Sequence, residues 1–191
     1  MRITENNNLN RYVNEHLHRE LQLVKASPIS TVTSTLSIEE RVLIYKYSED
    51  GYEFVNSALL KSKGAIDTEY GKHLVKTIGK LPNYKGLVYR SANLTQPELA
   101  VYQNALEKNT ILVEHCFISS SKSILIANMF GGKCRFSIIS KTGKEIETYS
   151  KYGPFSGQNE KEVLLAPNCK FNVLEITKSK SNTLILMEEV E

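Results

Sequence analysis

The hydrophobic period of this chain changes once, near residue 87, and that change limits the fold more than any other feature of its 191 residues. Before it, apolar residues recur at the three- and four-residue spacing of amphipathic helices. Val13, Leu17, Leu21 and Val24 place one helix over about 9–25. Ser37 and Glu40 have the spacing of a capping box, which starts a second helix through about residue 47. Ser48-Glu49-Asp50-Gly51 is expected to break that helix, 52–60 to resume it, and 68–79 to form a further one, stopped by Leu81-Pro82-Asn83. After residue 87, short runs of strand formers take over at 86–90, 111–118, 133–140, 145–149, 161–165, 171–176 and 183–187, with one more helix at 97–108. Thr142-Gly143 and Ser181-Asn182 read as the short polar connections of an antiparallel sheet. Helices first and strands afterwards make the fold α+β rather than α/β.

With 41% hydrophobic and 24% charged residues, the chain can fill one core but hardly two. Residues 1–36 are expected to be an N-terminal helix and a Ser/Thr-rich linker carrying Pro28, ahead of a domain over 37–191. The first helix either docks on that domain or serves a delivery or chaperone partner. The net charge of +3 is spread along the chain without a basic block, so nucleic acid is not an expected partner. The first residues lack an apolar signal-like run and no later segment approaches a membrane span, so a soluble protein without membrane partners is expected. Cys116, Cys134 and Cys169 are odd in number and lack metal-like spacing, which suits free thiols. His16 and His18 fall on different helical faces, so no metal pair is expected there.

Three groups could carry chemistry. Arg90 ends the strand at 86–90, Ser119-Ser120-Ser121 follows the strand at 111–118, and Glu160-Lys161-Glu162 opens the strand at 161–165. Strand alternation turns Glu160 and Glu162 to one face and Lys161 to the other. Two carboxylates on one face of a cleft need a cation or hydrogen-bond donor to offset their repulsion. Each group alone has a plainer reading: a surface arginine, a turn or helix cap, and a solvated strand start.

Taken together and in this order, Tyr89-Arg90, Phe117-Ile118-Ser119-Ser120-Ser121 and Glu160-Lys161-Glu162-Val163-Leu164-Leu165 resemble the Arg-Ser-Glu class of mono-ADP-ribosyltransferases. The likeness extends over about 37–190. It implies N-terminal helices packed on a mixed, mainly antiparallel β-sandwich with NAD in a central cleft. It also implies an enzyme that transfers ADP-ribose from NAD to an arginine of a target protein and releases nicotinamide, with no metal. Cleavage of the nicotinamide–ribose bond builds positive charge on the ribose, as in glycoside hydrolysis, and a carboxylate on the ribose hydroxyl binds that state best.

By this resemblance Glu162 is that carboxylate, Ser119 holds its rotamer, Ser121 supports the NAD site, and Arg90 grips the phosphates bidentately. Glu160 meets the acceptor, because a glutamate two residues before the catalytic one goes with arginine. A guanidinium keeps its protons in solution, so Glu160 must take one as the new bond forms. Tyr152 and Phe155, in the loop before Glu160, either dock the protein substrate or steady the loop. Phe130 either stacks on nicotinamide or packs in the core, Lys133 falls where a cation meets the phosphates, and Tyr52 reaches the cofactor from the helical half. Ser91 stands where the family often has glycine and leaves open the contact with the nicotinamide amide; Ser120 replaces the usual threonine. Two other activities are compatible with the same residues: NAD glycohydrolysis or transfer to another acceptor, and a catalytically silent NAD-binding module. A catalytic domain of this size suits a toxin-like effector that is secreted or delivered into a target cell.

Overall fold

Apolar spacing and caps fix the helices, yet the backbone groups them in a way that the order of elements does not suggest. A computed structural model describes residues 2–179 and 181–190. The chain divides into two units, one formed by Met1–Pro82 with Ile146–Asn159 and the other by Asn83–Glu145 with Glu160–Glu191. The helical half therefore takes back fourteen residues from the strand half (159 − 145 = 14), and these are the residues that lead to Glu160.

In the first unit, α1 (Arg2–His16) and α2 (His18–Ala26) stand where one helix over 9–25 was expected. They meet at Leu17, whose φ of −127° leaves the helical range while its side chain stays buried. The Ser/Thr-rich segment that follows is fastened rather than loose. It winds a 3₁₀ turn at Pro28–Thr31 and buries Ile29 and Leu36. The buried Arg41 guanidinium donates to the carbonyls of Ile29, Ser30 and Leu36 at 2.7, 2.9 and 3.2 Å.

The capping box is present at the start of α3 (Ile38–Lys46), but Ser48-Glu49-Asp50-Gly51 does not break the helix. The chain passes through one π turn, Tyr47–Gly51, directly into α4 (Tyr52–Lys61). Gly51 stays helical, and glycine is required there because a side chain would collide: a Cβ would lie 2.8 Å from the Tyr70 hydroxyl and 2.9 Å from the Lys46 carbonyl. That hydroxyl, on α5 (Glu69–Ile78), donates to the Leu43 carbonyl at 2.9 Å. A glycine read as a stop signal is thus a close-approach residue.

The π turn also presents Glu49, whose side chain is nearly buried. Arg19 grips it with two nitrogens at 2.8 and 3.0 Å, and Lys151 reaches it at 2.7 Å. The Ser48 hydroxyl accepts from the Lys151 amide at 2.8 Å, and Tyr149 donates to Ser34 at 2.6 Å. The returning segment 146–159 is therefore tied to α2, the 3₁₀ region and the π turn by specific bonds.

In the second unit, β1 (Asn83–Ala92), α6 (Gln96–Glu107), β2 (Leu112–Glu114), β3 (Ile118–Ser121), α7 (Ile124–Met129), β4 (Cys134–Glu145), β5 (Glu162–Leu165), β6 (Cys169–Lys178) and β7 (Thr183–Val190) follow in order. The strands form one sheet in the order β1-β3-β5-β4-β7-β6-β2, and β1 also pairs with β4. So β1, β3, β5 and β4 close on one another, all antiparallel, while β4 continues to β7 by a parallel pairing. The mixed, mainly antiparallel sheet expected from the sequence is present. Its interior holds Val88, Ile118, Phe136, Ile138, Val163, Leu165, Phe171 and Met187, with Leu99 and Tyr102 of α6 in the same cluster.

Several strand boundaries differ from expectation. The single strand at 111–118 is two, interrupted over 115–117. The strands at 133–140 and 145–149 are replaced by the single β4, and residues 147–149 form a turn. Thr142-Gly143 lies inside β4 instead of ending a strand. Buried Glu189 explains the continuity: its carboxylate accepts from the amides of Lys141 and Thr142 at 2.6 and 2.8 Å and from the Thr142 hydroxyl. Gly143 is needed for space, since a Cβ there would sit 2.6 Å from the Ser140 hydroxyl and 2.8 Å from Val163 on β5.

Glu49 yields a measurable acid response. Arg19, through its hydrogen bonds, and then Lys151 hold the Glu49 carboxyl at a pKa of about 2, against an ordinary 4.5. A depressed carboxyl stabilises the fold above its unfolded pKa, and that contribution is lost as pH falls toward the folded value. Glu49→Gln is expected to cost about 1–2 kcal/mol near neutral pH. Melting temperatures of the two proteins should converge as pH falls from the ordinary glutamate range toward about 2; a gap that persists in acid would show that the ion pairs are not its source.

Candidate active site

Within the second unit, Tyr89, Arg90, Ser91, Ser119, Ser120, Ser121, Ala127, Phe130, Glu160 and Glu162 line one pocket of about 120 Å³. The three groups far apart in sequence meet here because β1 and β5 flank β3. Arg90 follows Val88 by two residues, so it leaves β1 on the face that carries the core, at the point where that face opens. Its Nη1 donates to the Ser119 carbonyl at 2.8 Å, which fixes one side of the guanidinium.

The serine triplet fastens β5, and each hydroxyl has a different task. Ser119 Oγ donates to Glu162 Oε1 at 2.7 Å. Ser120 Oγ donates to the Val163 carbonyl at 2.7 Å. Ser121 Oγ donates to the Glu160 carbonyl at 2.7 Å and accepts from the Ser123 amide at 3.0 Å. Glu162 is 4% exposed, so its carboxylate depends on such donors for what water no longer supplies.

Glu160 also reaches the pocket, for a reason other than strand alternation. β5 begins only at Glu162, and Lys161 takes the left-handed backbone conformation with φ 50°. Both carboxylates face one space because the chain turns between them. Their environments differ: Glu162 has a hydroxyl donor, whereas burial raises the pKa of Glu160.

Of the other residues singled out from the sequence, Ser91 and Phe130 line the pocket, Phe130 as the residue closing α7 and 62% exposed. Ser91 Oγ is buried and has no hydrogen-bond partner among the described residues. Lys133 is exposed and does not line the pocket; its amide donates to Asn93 Oδ1 at 3.0 Å. Tyr52, Tyr152 and Phe155 belong to the first unit. Tyr89 and Ala127 line the pocket without having been singled out for it. Tyr89 was signalled by its place beside Arg90, whereas nothing in the sequence marks Ala127. His115 bonds Asn168 at 3.0 Å, and neither it nor Cys116 lines the pocket.

The site can hold an anion on Arg90, a hydroxyl-bearing ring on Glu162 and a cation on Glu160, and the buried Ser91 hydroxyl leaves one hydrogen-bonding group for a ligand. Comparison with known proteins gives this chemistry a family. Residues 22–191 match the model of the ADP-ribosyltransferase exoenzyme family. The chain is 30% identical to the NAD(+)–protein-arginine ADP-ribosyltransferase Tre1 of Serratia proteamaculans (strain 568), over 82% of this chain and 33% of that protein. It is 28% identical to Vis of Vibrio splendidus (strain 12B01), over 83% of this chain and 67% of that protein. The chain spans 18–67% of the length of the curated relatives it matches. The fold is that of solved ADP-ribosyltransferases: it superposes on HopU1 of Pseudomonas syringae pv. Tomato DC3000 with a TM-score of 0.72, covering 94% of this chain and 82% of that one at 18% identity. This chain belongs to the ADP-ribosyltransferase exoenzyme family.

Proposed function

We propose that this protein transfers ADP-ribose from NAD to an arginine side chain of a target protein and releases nicotinamide. The observation that carries the reading is the convergence of Arg90, Ser119, Glu160 and Glu162 on one pocket, with Ser119 Oγ 2.7 Å from Glu162 Oε1. Relatives that match 82% of this chain or more include one whose name specifies protein arginine and one, Vis, for which a structure in complex with agmatine has been solved. Agmatine presents the same guanidinium as arginine.

NAD suits the residues that line this space. Arg90 offers nitrogens beyond the one bonded to Ser119, at a position fit for a phosphate. Ser91 supplies a buried hydroxyl that lacks a partner among the described residues, and Phe130 an exposed ring. In the reaction the nicotinamide–ribose bond breaks and nicotinamide leaves with the bonding electrons. Glu162, bonded to a ribose hydroxyl, tightens its hold as positive charge grows on the sugar, while Ser119 keeps it from swinging away. A guanidinium nitrogen of the acceptor forms the new bond to the ribose carbon. The proton it must shed passes to Glu160, whose raised pKa brings it closer to the working range of a general base. Arginine on a target protein makes the chain an effector acting on that protein; among the described residues, no helix is long and apolar enough to cross a membrane.

Nicotinamide release from NAD, with and without agmatine, tests the reading directly. Release should rise with agmatine, yield ADP-ribosyl-agmatine, and fall about a hundredfold or more in Glu162→Ala. Release indifferent to every guanidino acceptor would leave an NAD glycohydrolase instead.

Glu160→Gln separates the two half-reactions: adduct formation should be lost while slow release to water continues. Because burial raises the Glu160 pKa, transfer should fall on acidification at a pH above the ordinary glutamate value. Below that point the carboxyl is protonated and cannot accept. Water-driven release should lack this limb, and a limb shared by both reactions would assign the titration to another group.

A further inference from the structure

The residue between the two glutamates is the least expected feature of the site. Lys161 has φ 50°, a left-handed conformation that L-residues other than glycine adopt only at a cost. It is exposed and lies outside the lining of the pocket. Left-handed residues persist where the surroundings overdetermine them, and here they do so on both sides. The carbonyl of Glu160 accepts from Ser121 Oγ at 2.7 Å, and the carbonyl of Lys161 accepts from the Lys122 amide at 3.0 Å. Both anchors come from the end of β3 and the residue after it. The peptide units before and after Lys161 are thus pinned to the strand that also supplies Ser119 to Glu162.

Without this turn, β5 would run on as an extended strand. Glu160 would then lie roughly 6–7 Å from Glu162 along the strand axis, past the end of β3. The turn folds Glu160 back to the pocket instead, and it leaves Glu162 untouched, because Glu162 is held within β5 by the pairing with Ser121 and by Ser119. We propose that Lys161 is a positioning residue that acts through its backbone: its left-handed turn, clamped by Ser121 and Lys122, sets whether NAD is spent on arginine transfer or on water. The inference rests on the function proposed above, in which Glu160 serves the acceptor and Glu162 the ribose.

The test compares Lys161→Asn and Lys161→Gly, which accept the left-handed region readily, with Lys161→Val, whose branched Cβ resists it. Two quantities are read together in agmatine: the ratio of ADP-ribosyl-agmatine to free ADP-ribose, and calorimetric affinity for nicotinamide. Lys161→Val should lower the ratio about tenfold, with release to water and nicotinamide affinity close to those of the unaltered protein. Lys161→Asn and Lys161→Gly should keep the ratio, although neither retains the ammonium group. A Val variant that loses transfer and hydrolysis in step, or an Asn variant as impaired as Val, would overturn the inference and give the role to general stability or to the lysine charge. If the unaltered protein makes no adduct with any guanidino acceptor, the proposed function fails first and this inference with it.

Discussion

Glu162 is a carboxylate taken almost wholly out of water at the first position of a strand, and the site is organised by what is needed to keep it there. An unpaired buried carboxylate would cost several kcal/mol or take up a proton. The Ser119 hydroxyl, at 2.7 Å, supplies a donor that does not neutralise the charge. A guanidinium at that spot would also satisfy Glu162, but it would neutralise the carboxylate. Arg90 instead spends one nitrogen on the Ser119 carbonyl. One residue of β3 thus orients both the anion and the cation of the site, through its side chain in one case and its backbone in the other.

That arrangement demands that β3 be flanked by β1 and β5, with both neighbours fixed in register. The closed set of β1, β3, β5 and β4 provides this. Its spine is β4, which pairs along most of β1, then with β5 at its far end and with β7 on its other edge. Glu189 holds the middle of β4 by accepting from successive amides, and Gly143 lets Val163 of β5 approach closely enough to close the set. Burial acts on two carboxylates of this unit, Glu189 and the half-buried Glu160, with different consequences. Burial pushes the Glu189 carboxyl up, but hydrogen bonds from Thr142 and the Lys141 and Thr142 amides outweigh it and hold the pKa below the ordinary value. Burial of Glu160, without such donors among the described residues, raises its pKa.

The fold class was legible because periodicity and capping are local: Ser37 and Glu40 form the box that their spacing announces, and the β1, β6 and β7 runs pair as strands. What misled was punctuation. Gly51 and Gly143 have the composition of stops, and both turn out to be places where another element comes too near for a side chain. That requirement is set partly by near neighbours, the Lys46 carbonyl and the Ser140 hydroxyl, and partly by Tyr70 and Val163, residues 19 positions away (70 − 51) and 20 positions away (163 − 143). A window around the glycine contains the near neighbours but not the distant element that comes close. The return of 146–159 to the helical unit was equally hidden, since it depends on Lys151 finding Glu49 and Ser48.

The pairing of Glu160 with Glu162 shows how a correct association can rest on the wrong physics. Alternation along a strand predicts a common face, and the two residues do share a pocket, yet no strand joins them. The distinction matters because the two mechanisms fail differently. Strand alternation is indifferent to the residue between, provided the ladder holds. A left-handed turn depends on that residue's Cβ and on the bonds that clamp its neighbouring peptides. The consequence is a division of control inside three consecutive residues: Glu162 moves only if β5 moves, whereas Glu160 can be displaced by a backbone rotation at one exposed position. Under the function proposed above, a reaction that must cleave NAD and then choose between a guanidinium and water would gain from that separation, since the sheet would hold the step common to both outcomes and a turn the step that distinguishes them.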